Sequence, residues 1–266
     1  MKSGIEISYE RSILGRLDGK VKQAAKILFK DRETEILQNY ANTVSITRLN
    51  YNDHGPVHMR KVASNAIKIM NILDKAGIKF NLELENYGNF EDSGVAAFTS
   101  AFLHDIGMSI GRDGHERMTI ILTSRIIERV LQEVFADDIQ KQIILKSLIY
   151  EGIIGHMGTQ KIHSLEAGVV LVADGCDMEG GRARIPLIME SGSKVGDIHK
   201  YSSAAIKKVY LEEGKELPLR IQVEMTESAG FFQVEEVLMR KVAMSPVKKY
   251  IELYAGILGQ DLKRYM

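Results

Sequence analysis

Histidine and aspartate are the residues of this chain whose positions predict chemistry. Five of the seven histidines fall between residues 50 and 160, where apolar residues recur mostly at helical spacing. Imidazole and carboxylate groups together are ligands for divalent transition metals. The side chains that we expect to point inward from apolar helix faces are His58, His104, Asp105, His115, His156 and Asp174.

The helix faces decide between a ligand and an ordinary core residue. His58 shares its face with Val62 and Ala66, and Asp174 follows Val170 in the same way. A single histidine on an apolar face is more often a hydrogen-bonded core residue than a ligand. Here four helices each send a polar residue inward, and a buried carboxylate is unfavourable unless it is paired or binds a metal. Metal binding would satisfy all of these groups at once.

The mixed ligand set also restricts the metal. Imidazole with carboxylate suits manganese, iron, cobalt, nickel or zinc, whereas calcium prefers oxygen ligands. The one cysteine, Cys176, is expected to be a small buried side chain, so a closed zinc site built on thiolates is not expected. Coordination positions would therefore stay open for water and substrate.

Charge and hydropathy exclude several kinds of partner. Lys and Arg together number 35, as do Asp and Glu, so no overall field attracts nucleic acid or an acidic membrane. No apolar run approaches the roughly 18 residues of a membrane span, and the first residues lack the apolar stretch of a signal peptide. We expect a cytoplasmic protein that binds neither nucleic acid nor membrane.

The elements that must position these residues follow from spacing and caps. The segment 78–92 alternates only weakly and is predicted to be a loop. Helical spacing, with Pro56 suited to a first helical position and Ser164 to an N-cap, predicts helices over residues 1–50 (two or three), from Gly55 to Gly77, from Ser93 to His104 and Asp105, over about 115–135, from about 138 past Tyr150, and after Ser164.

After about residue 195 the pattern changes. Alternating apolar residues in LRIQVEMTE predict a half-buried strand, with IKKVYL as its hairpin partner. FFQVEEVLMRKV returns to helical spacing and KYIELYA alternates again, so the tail should hold a three-stranded sheet. We therefore divide the chain into a helical domain over 1–195 and a small α+β unit over 196–266.

The motifs resemble those of a known family. HGPVHMRKV, AFLHDIG, GHERM, IIGHMG and VADGCD stand in the order found in the HD superfamily of metal-dependent phosphohydrolases. The resemblance covers about residues 50–185. It implies a mainly α fold, an HD-domain helical bundle, to which the small C-terminal α+β unit is added.

By this resemblance four residues form the ligand core present across the superfamily. They are His58, His104, Asp105 and Asp174. The adjacent pair His104 and Asp105 gives the superfamily its name and is expected at the catalytic centre. The same resemblance implies a hydrolase that cleaves a phosphate ester or anhydride, in a nucleotide or a related phosphorylated small molecule.

Two further histidines match the dinuclear branches of the superfamily. His115 and His156 correspond to the extra ligand pair there, and Asp105 to the aspartate that bridges both metals. The resemblance thus implies two divalent ions. Two such ions bind a phosphoryl oxygen and supply a hydroxide for attack on phosphorus, because coordination lowers the pKa of water toward about 7.

Substrate contacts are less well defined by the sequence. Arg112, in the glycine-bordered loop IGRDGHE, is either a phosphate contact or a solvated loop residue. Arg182 and Arg184 follow the helix of Asp174 and are further candidates. His54 is a third-metal ligand, a residue that supports a ligand, or a loop histidine, and His163 is a surface residue or a substrate contact.

Three alternatives bear on the function. The cyclic-di-GMP phosphodiesterase branch called HD-GYP is disfavoured, because Met108 stands where that branch has lysine and its GYP triplet is missing. A di-iron oxygenase of the HD type has the same ligand order, so the ligands alone do not exclude it. A non-catalytic nucleotide-sensing module is the third alternative, in which the C-terminal unit senses a ligand or forms a homodimer.

Overall fold

The chain folds into helices followed by a small sheet. A computed structural model describes residues 2–180 and 198–266, with side chains from residue 202 onward in the second range. The predicted fold class, mainly α with a small C-terminal α+β unit, is confirmed. The helices of the first range are α1 (Gly4–Leu14), α2 (Gly19–Lys30), α3 (Arg32–Thr43), α4 (Pro56–Lys75), α5 (Asn81–Leu84), α6 (Phe90–Leu103), α7 (His115–Phe135), α8 (Ile139–Gly155) and α9 (Leu165–Gly175), with a π-helical turn at Val44–Arg48 and a 3-10 turn at Ile106–Ser109.

The N-terminal layer consists of α1, α2 and α3, as predicted for residues 1–50. α2 packs on α6 and α7, and α3 packs on the 3-10 turn that follows α6. The buried guanidinium of Arg60, on α4, lies 2.6 Å from Glu10 of α1 and 2.9 Å from Gln38 of α3. Because α4 also carries His58, this buried network fixes the helix that holds the first candidate ligand.

The helices α4 and α6 pack against each other in the centre of the molecule. On α6, Phe98 and Phe102 stack with 5.8 Å between ring centroids, and Phe29 of α2 meets Phe102 edge-on at 5.3 Å. Each ring that is fully buried contributes about 1.5–3 kcal/mol. This packing fixes the C-terminal end of α6, where His104 and Asp105 follow. The apolar face predicted on α4 is confirmed, since Val62 and Ala66 are buried, and Ile69 and Leu73 continue the buried face along the helix.

The start of α6 differs from the prediction. The helix begins at Phe90, whereas the sequence placed its start at Ser93 after a loop over 78–92. A reciprocal cap explains the extra turn. The Asn89 side chain accepts the Asp92 N–H at 3.0 Å, and the Asp92 carboxylate accepts the Asn89 N–H at 3.2 Å.

The predicted loop also contains the one-turn helix α5, which the prediction missed. Phe80 and Leu82 are both buried there. The carboxylate of Glu166, on α9, accepts the N–H groups of Asn81 and Leu82 at 3.3 and 3.2 Å. Since these partners come from a distant helix, the segment's own sequence could not reveal the turn.

The C-terminal unit contains a four-stranded sheet, and a helical segment joins its second strand to its third. The strands are ordered β1-β2-β3-β4, with β2 and β3 parallel and the other pairs antiparallel. A parallel pair needs a crossover, and the helical segment between β2 and β3 provides it. The elements are α10 (Ile198–Ala205), β1 (Ile206–Glu213), β2 (Leu219–Met225), α11 (Gly230–Gln233), a π-helical turn (Val234–Leu238), α12 (Met239–Met244), a 3-10 turn (Pro246–Tyr250), β3 (Ile251–Ile257) and β4 (Lys263–Arg264).

Three of the four strands are those that the sequence predicted. In β2 the predicted alternation is confirmed: the four apolar side chains are buried and the residues between them are half-buried. In register, Val209 of β1 faces Val223 of β2, and Ile221 of β2 faces Leu253 of β3. β4 was missed because two residues are too short to show a period.

The helices and the sheet share one apolar core. A single cluster of buried residues runs from α1 to β3, and includes Ile69 of α4 as well as Leu211 of β1. The domain boundary predicted near residue 195 lies outside the described residues, so that division stays a prediction. None of the described helices has both the length and the apolar character needed to cross a bilayer.

Candidate metal centre

Six polar side chains meet where the ends of several helices converge. Each of them is at most 6% exposed. Burial of so many ionisable groups in one place requires strong compensation. The six are those predicted from the sequence: His58 in the first turn of α4, His104 and Asp105 directly after α6, His115 at the start of α7, His156 directly after α8 and Asp174 in the last turn of α9.

One half of the cluster is built around Oδ2 of Asp105. This oxygen lies 3.1 Å from Nε2 of His58 and 3.3 Å from Nε2 of His104. The two Nε2 atoms are 3.1 Å apart. Oδ1 of Asp174 closes the group, 3.3 Å from Nε2 of His58 and 3.8 Å from Nε2 of His104.

The other half is built around the second oxygen of the same carboxylate. Oδ1 of Asp105 lies 3.1 Å from Nε2 of His115 and 3.3 Å from Nε2 of His156. These two Nε2 atoms are again 3.1 Å apart. Asp105 therefore directs one oxygen to each pair of imidazoles.

The outer nitrogen of each ring fixes its tautomer. Nδ1 of His104, His115 and His156 lies 2.8, 2.8 and 2.6 Å from the backbone carbonyl three residues earlier. A carbonyl only accepts, so each of these Nδ1 atoms carries a proton. Nδ1 of His58 is held at 2.6 Å by the carboxylate of Asp177. When these rings are neutral, the inner Nε2 carries no proton and its lone pair is free to ligate a metal.

The donor set fits a cation. Facing lone pairs 3.1 Å apart repel one another unless a proton or a metal ion lies between them. Two triads have all their ligand atoms within 4.8 Å of one another, one formed by His58, His104 and Asp174, the other by His104, Asp105 and His156. These buried groups could hold a metal ion, as the sequence predicted.

The protonation states of the two carboxylates and of His156 also suit metal binding. Burial alone would raise the pKa of Asp105, but the neighbouring histidines, chiefly His104, hold it well below its usual value. At Asp174 burial is likewise outweighed, first by the charge of Lys241, and its pKa is also well below the usual value. Burial lowers the pKa of His156 to about 4. Near pH 7 these carboxylates are ionised and His156 is neutral, the states required of ligands.

Two residues that support His58 were missed by the sequence analysis. Asp177 holds His58, and its other oxygen lies 2.8 Å from Nζ of Lys61. Lys61 also reaches Glu179 at 2.9 Å. Burial alone would lower the pKa of Lys61, but the two carboxylates raise it above its usual value, so the lysine is charged. A signal existed, because Lys61 follows His58 by three residues and Asp177 follows Asp174 by three.

Asp177→Asn tests this support directly. The variant removes the charge that orients His58, and loss of such a contact typically lowers metal affinity about 10–100-fold. We expect a drop of that size in competition against a chelator. Glu179→Gln is the matched control, because it removes a charge from the same lysine without touching His58. Equal losses in both variants would contradict the assigned role of Asp177.

Thr119 joins the turn after α6 to α7. Its hydroxyl accepts the Gly107 N–H at 2.8 Å and lies 2.9 Å from both the His104 and His115 carbonyl oxygens. Gly107 permits this approach. A Cβ at Gly107 would lie 1.9 Å from the His115 oxygen and 2.7 Å from the Thr119 nitrogen. The two halves of the centre are thus held in register by backbone contacts that need glycine.

Gly107→Ala should separate α7 from the turn that carries His104 and Asp105. The clash is with backbone, so we expect a loss of about 1–3 kcal/mol in the free energy of unfolding and a lower metal content. Chemical denaturation and elemental analysis measure the two effects. Gly111→Ala is the control, because no atom lies within 4 Å of a Cβ there. Wild-type behaviour of Gly107→Ala would contradict this account.

A cavity of about 1060 Å³ lies beside the cluster. Asp105, His156 and Asp174 form part of its lining, and so does the predicted substrate residue Arg112. The guanidinium of Arg112 lies 5.8 Å from the ring centroid of Tyr51. Among residues 2–180 and 202–266, no carboxylate pairs with it. Arg112 is therefore a cation at the cavity wall that is available to an anion.

Of the two histidines predicted as substrate contacts, one lines the cavity and the other does not. His54 also lines the cavity, 5.9 Å from His58 between ring centroids, and its Nδ1 lies 2.6 Å from the Asn52 oxygen. His163 is exposed and lies outside the cavity lining. Its backbone N–H donates a hydrogen bond of 2.6 Å to the carboxylate of Glu151.

Two further predicted substrate residues and the single cysteine remain. Arg182 and Arg184 lie outside the described residues. Cys176 is buried, as predicted, and burial raises the pKa of its thiol, which disfavours a thiolate.

The fold and the cluster define a mainly helical protein with a buried histidine and aspartate centre that could hold a metal ion. The chain is 38% identical over 256 residues to the protein named "Uncharacterized protein MJ1020" of Methanocaldococcus jannaschii, and the match covers 96% of this chain and 95% of that protein. The chain belongs to the same family as that protein. No family model and no solved structure matches it.

Proposed function

We propose that this protein is an HD-type, metal-dependent phosphohydrolase. The single observation that carries the proposal is the division of the Asp105 carboxylate, with one oxygen beside each pair of imidazoles at 3.1–3.3 Å. A carboxylate that serves two nitrogen pairs in this way suits a site for two ions. The resemblance of the motifs to the HD superfamily points to the same chemistry.

The ligands would divide between two ions. His58, His104, Asp174 and Oδ2 of Asp105 would hold the first ion. His115, His156 and Oδ1 of Asp105 would hold the second. Manganese, iron, cobalt, nickel and zinc all accept this donor set. When bound, such ions polarise a phosphoryl oxygen and bring the pKa of a coordinated water to about 7.

The remaining work falls to residues around the cavity. Arg112 would bind a phosphate oxygen pair through its planar guanidinium. Its backbone carbonyl also holds Nδ1 of His115 at 2.8 Å, so one loop residue both orients a ligand and faces the substrate. A volume of about 1060 Å³ is large enough for a nucleotide, since small-molecule sites commonly measure about 300–1,000 Å³. A nucleotide or a related phosphorylated small molecule is therefore the proposed substrate.

A phosphate-release screen tests the proposal. Metal-free protein is reloaded anaerobically with manganese or cobalt and incubated with nucleoside mono-, di- and triphosphates. We expect release of phosphate from at least one of them, and none without metal. Absence of release with every metal and nucleotide would count against hydrolysis. Oxygen consumption by the iron-loaded protein would instead support an HD-type oxygenase.

A further inference from the structure

One cation of the C-terminal unit reaches the metal centre. Lys241, on α12, places its ammonium against Oδ2 of Asp174 and lies 3.0 Å from the backbone oxygen of His156. Asp174 and His156 belong to the two different halves of the cluster. The C-terminal unit thus supplies a positive charge at the centre.

The path of the Lys241 side chain depends on a glycine beside Asp174. A Cβ at Gly175 would lie 3.2 Å from Cδ of Lys241 and 3.3 Å from Cδ1 of Leu238. Close packing of α12 on α9 therefore guides the lysine stem, and its side chain is only 14% exposed. By contrast, the neighbouring Arg240 is exposed and paired with Glu236 one helical turn earlier. Lys241 is held in place, whereas Arg240, which also lines the cavity, is exposed and already paired with a carboxylate.

The ammonium of Lys241 has a donor to spare. A lysine ammonium carries three N–H groups. Two meet Asp174 and His156, and the described part of the chain offers no third acceptor within hydrogen-bond distance. Lys241, Asp174 and His156 all line the same cavity as Arg112. The third N–H is thus available to an anion that enters the cavity beside the metal ligands.

We infer that Lys241 is an anion-binding residue of the active centre, supplied by the C-terminal unit, and that it donates a hydrogen bond to a phosphate oxygen of the substrate. The inference rests on the proposed phosphohydrolase function. Oδ1 of Asp174 faces the imidazoles and Oδ2 contacts the Lys241 ammonium. The one carboxylate therefore positions the lysine next to the metal ligands. The C-terminal unit is then part of the site.

Phosphate binding to manganese-loaded protein tests this inference, with inorganic phosphate as the probe in titration calorimetry. Lys241→Gln and Lys241→Met remove the charge, and the methionine keeps the apolar stem that packs on Gly175. We expect both variants to retain metal and to bind phosphate about tenfold or more weakly, the size expected for a lost charge-assisted hydrogen bond. Lys241→Arg should bind phosphate more tightly than either. Lys248→Gln, an exposed lysine of the same unit, should match wild type.

The outcomes separate the inference from the proposed function. Equal phosphate binding by wild type and both uncharged variants would overturn the role of Lys241 and leave the proposed function intact. Loss of metal in both variants would also overturn it, because Lys241 would then only support Asp174. Failure of the metal-loaded wild type itself to bind phosphate would overturn the role of Lys241, whereas the nucleotide screen decides the proposed function separately.

Discussion

Asp105→Asn is expected to abolish bound metal and phosphate release together while helical content stays near that of wild type. The substitution keeps the size of the side chain but replaces one carboxylate oxygen by an amide nitrogen, which does not ligate. Each oxygen of Asp105 now lies beside two imidazole nitrogens at 3.1–3.3 Å, so both halves of the centre lose a ligand or its charge. Elemental analysis, phosphate release and circular dichroism measure the three quantities.

Asp113→Asn is the control for this experiment. Asp113 is an exposed aspartate in the loop that follows the 3-10 turn, so the same chemical change there should leave metal content unchanged. Retention of metal with full turnover in Asp105→Asn would contradict the assignment of Asp105 as a metal ligand. Unfolding of the variant would show instead as loss of the helical signal.

Replacement of His115 or His156 by alanine should remove about half of the bound metal and most of the phosphate release. Among the described residues, these two imidazoles are the ones that lie beside Oδ1 of Asp105, so the loss of either removes a ligand of the second half. The first half keeps His58, His104 and Asp174. Metal stoichiometry per chain, measured for protein purified in parallel with wild type, is the readout.

His163→Ala is the matched control for metal content, because this histidine is exposed and lies away from the cluster. Metal content equal to wild type in both His115→Ala and His156→Ala would argue for a single ion held by the first half alone. A complete loss of metal in either variant would show that the two halves bind cooperatively.

Much of the centre could be predicted from the sequence because its ligands stand at helix ends. Spacing alone placed His58 on the buried face of α4 and Asp174 on that of α9, and both are buried. The outer hydrogen bonds of His104, His115 and His156 go to carbonyls three residues earlier. These hydrogen bonds join residues that are close in sequence. A histidine at either end of a helix can therefore form such a bond without a partner from a distant segment.

The parts that were missed depend on contacts between distant segments. Lys241 meets Asp174 only because α12 packs on α9, and nothing in the spacing of FFQVEEVLMRKV distinguishes it from a solvent-facing lysine. α5 depends on Glu166, and β4 on pairing with β3. In each case a partner far along the chain decides the structure, which local periodicity does not encode.

The same distinction applies to function. Ligand types and their order predict a metal centre, and the observed geometry agrees with it. Hydrolysis, a nucleotide substrate and a homodimer through the C-terminal unit depend on molecules outside the chain, so they stay predictions. Arg112 and Lys241 line the same cavity beside the candidate metal ligands, which is why we propose that the substrate is an anion.

Elemental analysis of protein purified without added metal tests the central claim most directly. We predict two first-row transition-metal ions per chain, falling to about one in His156→Ala and to none in Asp105→Asn. Wild-type protein that contains no metal, and that takes up none when it is titrated with manganese, cobalt or iron, would contradict the account.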